Sequence, residues 1–245
     1  MYRYLHDQTL RLMSHGRTPK EIAEELMMPG KLSRQWFARG YYGAVAHNVN
    51  AVYAHYLGPY DGNPAHLNPL PPVQAGKKYV EYMGGADAVV QRARADHEAG
   101  HFRWVVEALN HVVFAQPDHR PARELAADAM EQLGYQAESA TWRNAYLLAA
   151  RELRSTAKAP AQRGVGISPD VVAILPFGSF LEYLGIRLNG PKAQDIEARF
   201  DWRLVDEGGG VDSHRLDVSN GALNHLPGSH GERADAVIAM ARGQL

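Results

Sequence analysis

The chain has no cysteine. That removes disulfide frameworks, thiolate metal sites and cysteine nucleophiles together. It has little charge of either sign in excess: Lys and Arg number 26, Asp and Glu 27, for a net charge of −1. A balance of this kind argues against a protein that tracks nucleic-acid phosphates and against a polybasic membrane-surface protein. No apolar run reaches the length of a membrane span. The opening stretch MYRYLHDQTLRLMSHG lacks the apolar core and small-residue cleavage site of a signal peptide. Two hundred and forty-five residues, 45% hydrophobic and 22% charged, remain ample for real cores in one to three units.

The apolar residues Tyr2, Leu5, Leu10, Leu12 and Met13 predict a short helix over 2–14, stopped at His15-Gly16. Thr18, Pro19 and Glu21 then spell a capping box with proline at the first helical position. They open a helix over 19–27 that buries Ile22, Ala23 and Leu26 until Pro29-Gly30 breaks it. A further helix is expected over 31–38. The segment Thr18 to Trp36 has the cadence of a helix-turn-helix, but two packing helices are the better reading in a neutral chain.

Residues 39–72 read RGYYGAVAHNVNAVYAHYLGPYDGNPAHLNPLPP, with tyrosines and histidines crowded between glycines and prolines. Substrate-lining loops have such compositions. Two readings stand side by side on the residues alone. In one, Trp36, Tyr41 and Tyr53 pack and their polar tips find backbone partners. In the other, His47, Asn48 and tyrosine hydroxyls donate to a small anion, with Arg39 adding charge. Residues 58–76, rich in glycine and proline, predict a long ordered loop or a domain boundary.

Helical stretches are expected over 86–99, 102–115, 119–133 and 138–153. Gly100 and Gly134, 34 residues apart, mark the turn of each pair, which is the tetratricopeptide period. Two such units leave open faces that need a partner. His97-Glu98-Ala99-Gly100-His101 matches H-E-x-x-H, whose zinc chemistry needs both histidines on one face of one helix. Gly100 falls at a predicted turn, so the expectation is two exposed turn histidines. Residues 155–168 read as a linker. Beyond them come an amphipathic helix over 177–188 and strands at Ala198 to Val205, Arg215 to Val218, Ala222 to Leu226 and Ala236 to Met240, with an Asn220-Gly221 turn. The fold class expected is therefore all-helical, then a small α+β unit.

With YRYLHDQTLRL, GKKYVEYMGGADAV and EQLGYQAESATWRNAYLLAARELR, the Tyr/His block resembles the part of bacterial alkyl sulfatases that follows their metal-binding domain, and YLGIRLNGPKA with ADAVIAMAR resembles their sterol-carrier-like last domain. The resemblance implies that residues 1–76 complete a substrate pocket, 77–154 form a tetratricopeptide-like dimerisation domain, and 169–245 form a sterol-carrier-like domain incomplete at its end. It implies hydrolysis of sulfate esters of long-chain alcohols, such as dodecyl sulfate, by two zinc ions held in a front domain. This chain lacks that domain's H-x-H-x-D-H motif, so no catalytic or metal-ligating residue and no cofactor is expected here, and no activity for the chain alone. Implied sulfate-binding residues are His47 first, then Tyr60, with Asn48 and Arg39 behind. Pro59 stands where relatives carry an aromatic. Implied partners are a second copy of the chain and an alkyl sulfate or other amphiphile, with no nucleic acid. Family members are often periplasmic or secreted. Phe177, Phe180, Leu181, Tyr183 and Leu184 could line an alkyl groove or be a helix core face. The alternative is a non-enzymatic dimerisation or lipid-binding protein derived from such an enzyme.

Overall fold

A computed structural model describes residues 1–155, 168–205, 208–228 and 233–244. Its contacts divide the chain into two units, Met1–Ala157 and Lys158–Leu245.

The first unit is helical and holds two cores. Helices α1 (Tyr2–Ser14), α2 (Pro19–Glu25) and α4 (Val45–Leu57) enclose Leu5, Leu12, Ile22, Leu26, Val49 and Tyr53. The buried stripe of α1 is Leu5, Thr9 and Leu12, one turn apart. Thr9 enters it because its hydroxyl donates to the Leu5 carbonyl at 2.6 Å. The capping box of α2 is present with both arms made, Thr18 accepting from the Glu21 N–H and Glu21 accepting from the Thr18 N–H. The helix expected over 31–38 is instead one turn, α3 (Gly30–Ser33), and a 3₁₀ turn at Trp36–Ala38. Trp36 and Phe37 pack edge-on against each other at 6.0 Å but stay mostly exposed, and a helix this short does not persist without packing on a core. Four residues also leave no recognition helix for DNA.

The second core lies among α5 (Pro72–Tyr82), α6 (Ala86–Glu98), α7 (Phe102–Ala115), α8 (Arg120–Gln136) and α9 (Ala140–Arg154). Gly100, at φ +82°, makes the α6–α7 turn as expected. Gly134 does not make a turn. It lies inside α8, where an added Cβ would sit 2.9 Å from Leu147 Cδ2 on α9, so its small size serves helix–helix approach. Arg123 of α8 closes the end of α9: its guanidinium donates to the carbonyls of Leu153, Ser155 and Glu152, and to that of Pro117, at 2.7–3.3 Å. These are the C-terminal carbonyls that a helix cannot satisfy itself. Arg154 returns from α9 to Glu131 and Asp128 on α8, and its hydrogen bond holds the Glu131 carboxyl below the usual range.

Residues 58–71 form the expected loop with a 3₁₀ turn at Pro64–His66, but α5 begins at Pro72, so the division expected between 76 and 77 falls inside a helix. Gly76 belongs to that helix and is buried against α7. Replacing an ordinary helical glycine by alanine stabilises by about 1 kcal/mol. At Gly76 the Cβ would lie 2.7 Å from the His111 carbonyl oxygen and 3.3 Å from the Ala115 nitrogen, both backbone atoms. Gly76→Ala is therefore expected to destabilise by about 1–3 kcal/mol through overpacking. Thermal unfolding checks it, and a raised midpoint would show that α5 and α7 separate at little cost.

The second unit is α+β, as expected. Helices α10 (Pro169–Ile174), α11 (Phe177–Arg187) and α12 (Gly190–Ala193) precede β1 (Ala198–Val205), β2 (Val211–Ser219), β3 (Ala222–Pro227) and β4 (Ala236–Ala241). The sheet order is β3-β2-β1-β4, antiparallel except for the parallel β1–β4 pair. Asn220 and Gly221, at φ 50° and 73°, form the two-residue hairpin turn their sequence predicts. One face packs Phe200, Leu204 and Leu216 under Phe177 and Leu181 of α11. The linker expected over 155–168 lies almost wholly outside the described residues. No helix among those described is long and apolar enough to cross a membrane.

Candidate functional site

The Tyr/His block is half helix. Residues 44–57 contain neither glycine nor proline, and Val49 and Tyr53, one turn apart, anchor α4 in the first core. The block's first residues are pinned by the turn between α8 and α9. Arg39 Nε donates to Glu138 Oε1 at 2.6 Å, and the Ala140 N–H to the Tyr41 carbonyl at 2.7 Å. Ser139 Oγ and Thr141 Oγ1 donate to the Tyr42 carbonyl at 2.7 and 2.9 Å. Four contacts across about a hundred residues of sequence thus fix where α4 begins. Sequence reasoning missed Glu138, Ser139 and Thr141 because nothing local marks them as partners of residues 39–42. Gly40 makes the turn tight: a Cβ there would meet the Gly43 carbonyl at 2.8 Å.

At the N-terminal end of α4, Gly43 to Ala46 are half-buried and His47 is exposed. Ala44 stands at the N-cap of α4 and offers no side-chain cap, and no acidic residue lies in the first turn. The leading N–H groups and the positive end of the helix dipole are then available to an anion. His47, exposed, and Asn48, half-buried, lie in that first turn. Arg39 lies just before it but is engaged by Glu138, with its guanidinium 5.9 Å over the Tyr41 ring. Tyr60 sits elsewhere. About 15 Å of helix rise separates His47 from Leu57, and Tyr60 follows beyond Gly58, at the carbonyl end. Its loop is ordered by Asp61, which accepts from the Asn63 N–H at 3.1 Å and from His66 Nδ1 at 2.6 Å. The Asn63 bond first, then His66, holds the Asp61 carboxyl below its usual range. The structure therefore gathers Arg39, His47 and Asn48 at one end of α4 and leaves Tyr60 at the other.

Of the three rings expected to pack, Tyr53 does; Tyr41 and Trp36 are exposed, at 52% and 74%. Phe37, Tyr42, Tyr56 and Tyr82 are exposed with them. A cleft of about 540 Å³ beside α4 is lined by Ala46, Asn50, Leu133, Trp142 and Tyr146 among others, and by none of the four expected sulfate-binding residues.

The decoy histidines do not make a metal site. His97 closes α6 and His101 lies past the Gly100 turn. His101 is exposed, 3.4 Å from Asp96. His97 differs from the expectation: its ring packs edge-on against Phe102 at 5.0 Å, and its Nε2 is buried with no partner. Among the described residues no three His, Cys, Asp or Glu side chains group so as to hold a metal ion. The residues present do not fit a two-zinc centre.

Residues 18–156 match the family model described as alkyl sulfatase dimerisation, and residues 166–245 match that described as alkyl sulfatase C-terminal. The chain belongs to the alkyl sulfatase family. An alkyl/aryl-sulfatase of Saccharomyces cerevisiae is 49% identical over 99% of this chain, and a linear primary-alkylsulfatase of Pseudomonas sp. is 44% identical over all of it. Each match occupies 36% of the relative's own length. The solved stereoselective inverting sec-alkylsulfatase from Pseudomonas sp. superposes with a TM-score of 0.88 at 44% identity, covering 99% of this chain and 37% of that one. The chain thus corresponds to the dimerisation and C-terminal parts of alkyl sulfatases and spans little more than a third of their length.

Proposed function

We propose that this alkyl sulfatase chain acts as the rear portion of a hydrolase for sulfate esters of long-chain alcohols, and that it has no turnover alone. The observation that carries the proposal is the coverage: relatives match essentially the whole chain, yet the match is about a third of their length. The metal chemistry, two zinc ions by family resemblance, belongs to the remainder. Paired metals would activate a hydroxide and neutralise the departing sulfate. This chain's own contribution is the open end of α4. His47 and the leading N–H groups of the helix hold sulfate oxygens, Asn48 adds a donor, and Arg39 supplies positive charge while Glu138 keeps it in place. Tyr60, past the far end of α4 on the loop that Asp61 orders, is too far from His47 to hold the same sulfate. The exposed rings of Trp36, Phe37 and Tyr42 are the surface on which the metal-bearing portion rests.

The helical unit pairs with a second copy of itself, as the dimerisation match supports. A two-fold arrangement covers a repeat face with the least new surface. Light scattering with a dodecyl sulfate hydrolysis assay and metal analysis after zinc dialysis tests the proposal. A dimer without turnover or stoichiometric zinc is expected; turnover with two zinc ions per chain, or a clean monomer of 27.1 kDa, would count against it.

A second reading, a lipid-binding protein derived from the enzyme, is favoured by one observation. Trp202 lies beneath α11 with its ring 5.6 Å from Phe177 and 6.2 Å from Phe180, and its indole N–H is buried without a partner. Leaving a donor unpaired costs about 1–3 kcal/mol. An apolar chain bearing an acceptor would remove that cost.

A further inference from the structure

The cleft beside α4 has no part in the proposed hydrolysis. It lies within the helical unit, and helices of both cores line it: α2 and α4 from the first, α7, α8 and α9 from the second. Its volume, about 540 Å³, suits a small organic molecule. Three kinds of group meet there. The first is apolar. Trp142 and Tyr146, one turn apart on α9 and both half-buried, line the cleft together with Ala23 and Ala46 of the first core's helices. The second is the carboxamide. Asn50 of α4 and Gln136 at the end of α8 each bring a donor group and an acceptor. Among the described residues, neither amide, nor the Trp142 indole N–H, nor the Tyr146 hydroxyl is hydrogen-bonded to the protein.

The third is charge. Glu24 and Arg103 join α2 to α7 across the cleft at 2.7 Å and neutralise each other. One turn from each of them stands a charge that has no ion pair among the described residues, Lys20 on α2 and Glu107 on α7. Each is about 6 Å of helix rise from the central pair. The cleft therefore offers one ammonium and one carboxylate that do not meet each other. A ligand that satisfies both carries opposite charges at two separate ends. A purely anionic ligand would face Glu107 unpaired, and a purely cationic one would face Lys20.

We propose that this cleft binds an aromatic dipeptide. Its carboxylate end meets Lys20 and its ammonium end meets Glu107. The amides of Asn50 and Gln136 pair with its peptide N–H and carbonyl, and its ring lies against Trp142 and Tyr146. A free amino acid holds both charges on one carbon and has no peptide group, so it reaches only part of the site. The bound peptide ties α2 and α4 to α7 and α9, and so links the two cores. No chemical step is asked of the site, and the assignment holds whether or not the chain serves a sulfatase.

The test uses the whole chain, labelled with ¹⁵N, and the dipeptide phenylalanyl-leucine. Of the four tryptophan indole N–H signals, that of Trp142 is expected to move at millimolar peptide, and Trp142→Phe identifies it. Capping either end of the peptide removes one exposed ion pair, a factor of roughly two to five. The N-acetylated and the C-amidated dipeptides should each bind more weakly by that factor. Lys20→Met should weaken the uncapped and acetylated peptides and leave the amidated one unaffected. Glu107→Gln should weaken the uncapped and amidated peptides and leave the acetylated one unaffected. The uncapped peptide should also raise the melting temperature of the helical unit and not that of the second unit. A Trp142 signal that stays in place at millimolar peptide, or caps without effect on binding, would overturn the proposal. Lys20 and Glu107 are exposed, so their variants keep the fold and decide the matter even if Trp142→Phe does not fold.

Discussion

His47→Ala is expected to lower kcat/KM roughly ten- to more than a hundredfold in an alkyl sulfatase whose rear portion is this chain, with little change in folding. The magnitude follows from removing one charge-assisted hydrogen bond to sulfate, about 1.5–3 kcal/mol. The small effect on stability follows from position. His47 is exposed in the first turn of α4, and the anchors of that helix are Val49 and Tyr53. A chimera joining this chain to the remainder of the Pseudomonas linear primary-alkylsulfatase supplies the assay with the part that this chain does not span. Hydrolysis of dodecyl sulfate is read per folded molecule, with His101→Ala as the comparison. His101 belongs to the spurious zinc motif and its substitution should leave turnover nearly unchanged. Equal turnover for His47→Ala and the parent would remove His47 from the site, and a loss of folding in its place would make it a packing residue.

The elements legible in the sequence are those where local signals agree with packing. The capping box of α2, the Gly100 turn and the Asn220-Gly221 hairpin each state a backbone requirement that one or two residue types can meet. All four strands were legible, β1, β3 and β4 to within a residue of their ends, but β2 begins at Val211, four residues before the expected Arg215. The failures have the opposite origin. Gly134 and Gly76 look like turn or loop residues in sequence, but a glycine required by a neighbouring helix carries the same letter as one required by φ. Their partners, Leu147 and the His111 carbonyl, lie 13 and 35 residues away. The segment 31–38 shows helical residues without a packing surface, and the helix stops after one turn.

The candidate site was less legible than the fold. Composition marked residues 39–72 correctly as unusual but hid α4, whose clue was the run of fourteen residues free of glycine and proline. A helix there changes the chemistry. It adds backbone N–H donors at an uncapped N-terminus, and its length separates His47 from Tyr60. The ties from Glu138, Ser139 and Thr141 to residues 39–42 span almost a hundred residues, beyond what any local pattern records. His97 shows the same limit, because a buried, unpartnered ring nitrogen is a property of packing against Phe102.

Leu109→Ala is expected to cost about 2–5 kcal/mol, the range for emptying a leucine site in a closed core. Leu109 is fully buried on α7, in the core that also holds Val105, Val112, Leu125 and Ala126. Alanines line much of this core, and two of them, Ala122 and Ala129, are also completely buried. Helices packed through such small side chains already approach closely and have little room to collapse into a void, which places the cost toward the upper part of the range. A shift of about 2–4 °C per kcal/mol is expected for a unit of this size, so the helical unit's transition should move down by roughly ten degrees. The second unit has a separate core built on Phe177, Leu181, Leu204 and Leu216, and its transition should stay in place. Calorimetry at several protein concentrations separates this effect from dimerisation, because a folded state bound to its partner melts higher as concentration rises. Leu109 lies inside one copy, so Leu109→Ala should lower the melting temperature at every concentration while leaving the slope with concentration unchanged. A midpoint within about a degree of the parent's would mean that α7 closes the cavity, and that this core is more plastic than its buried alanines imply.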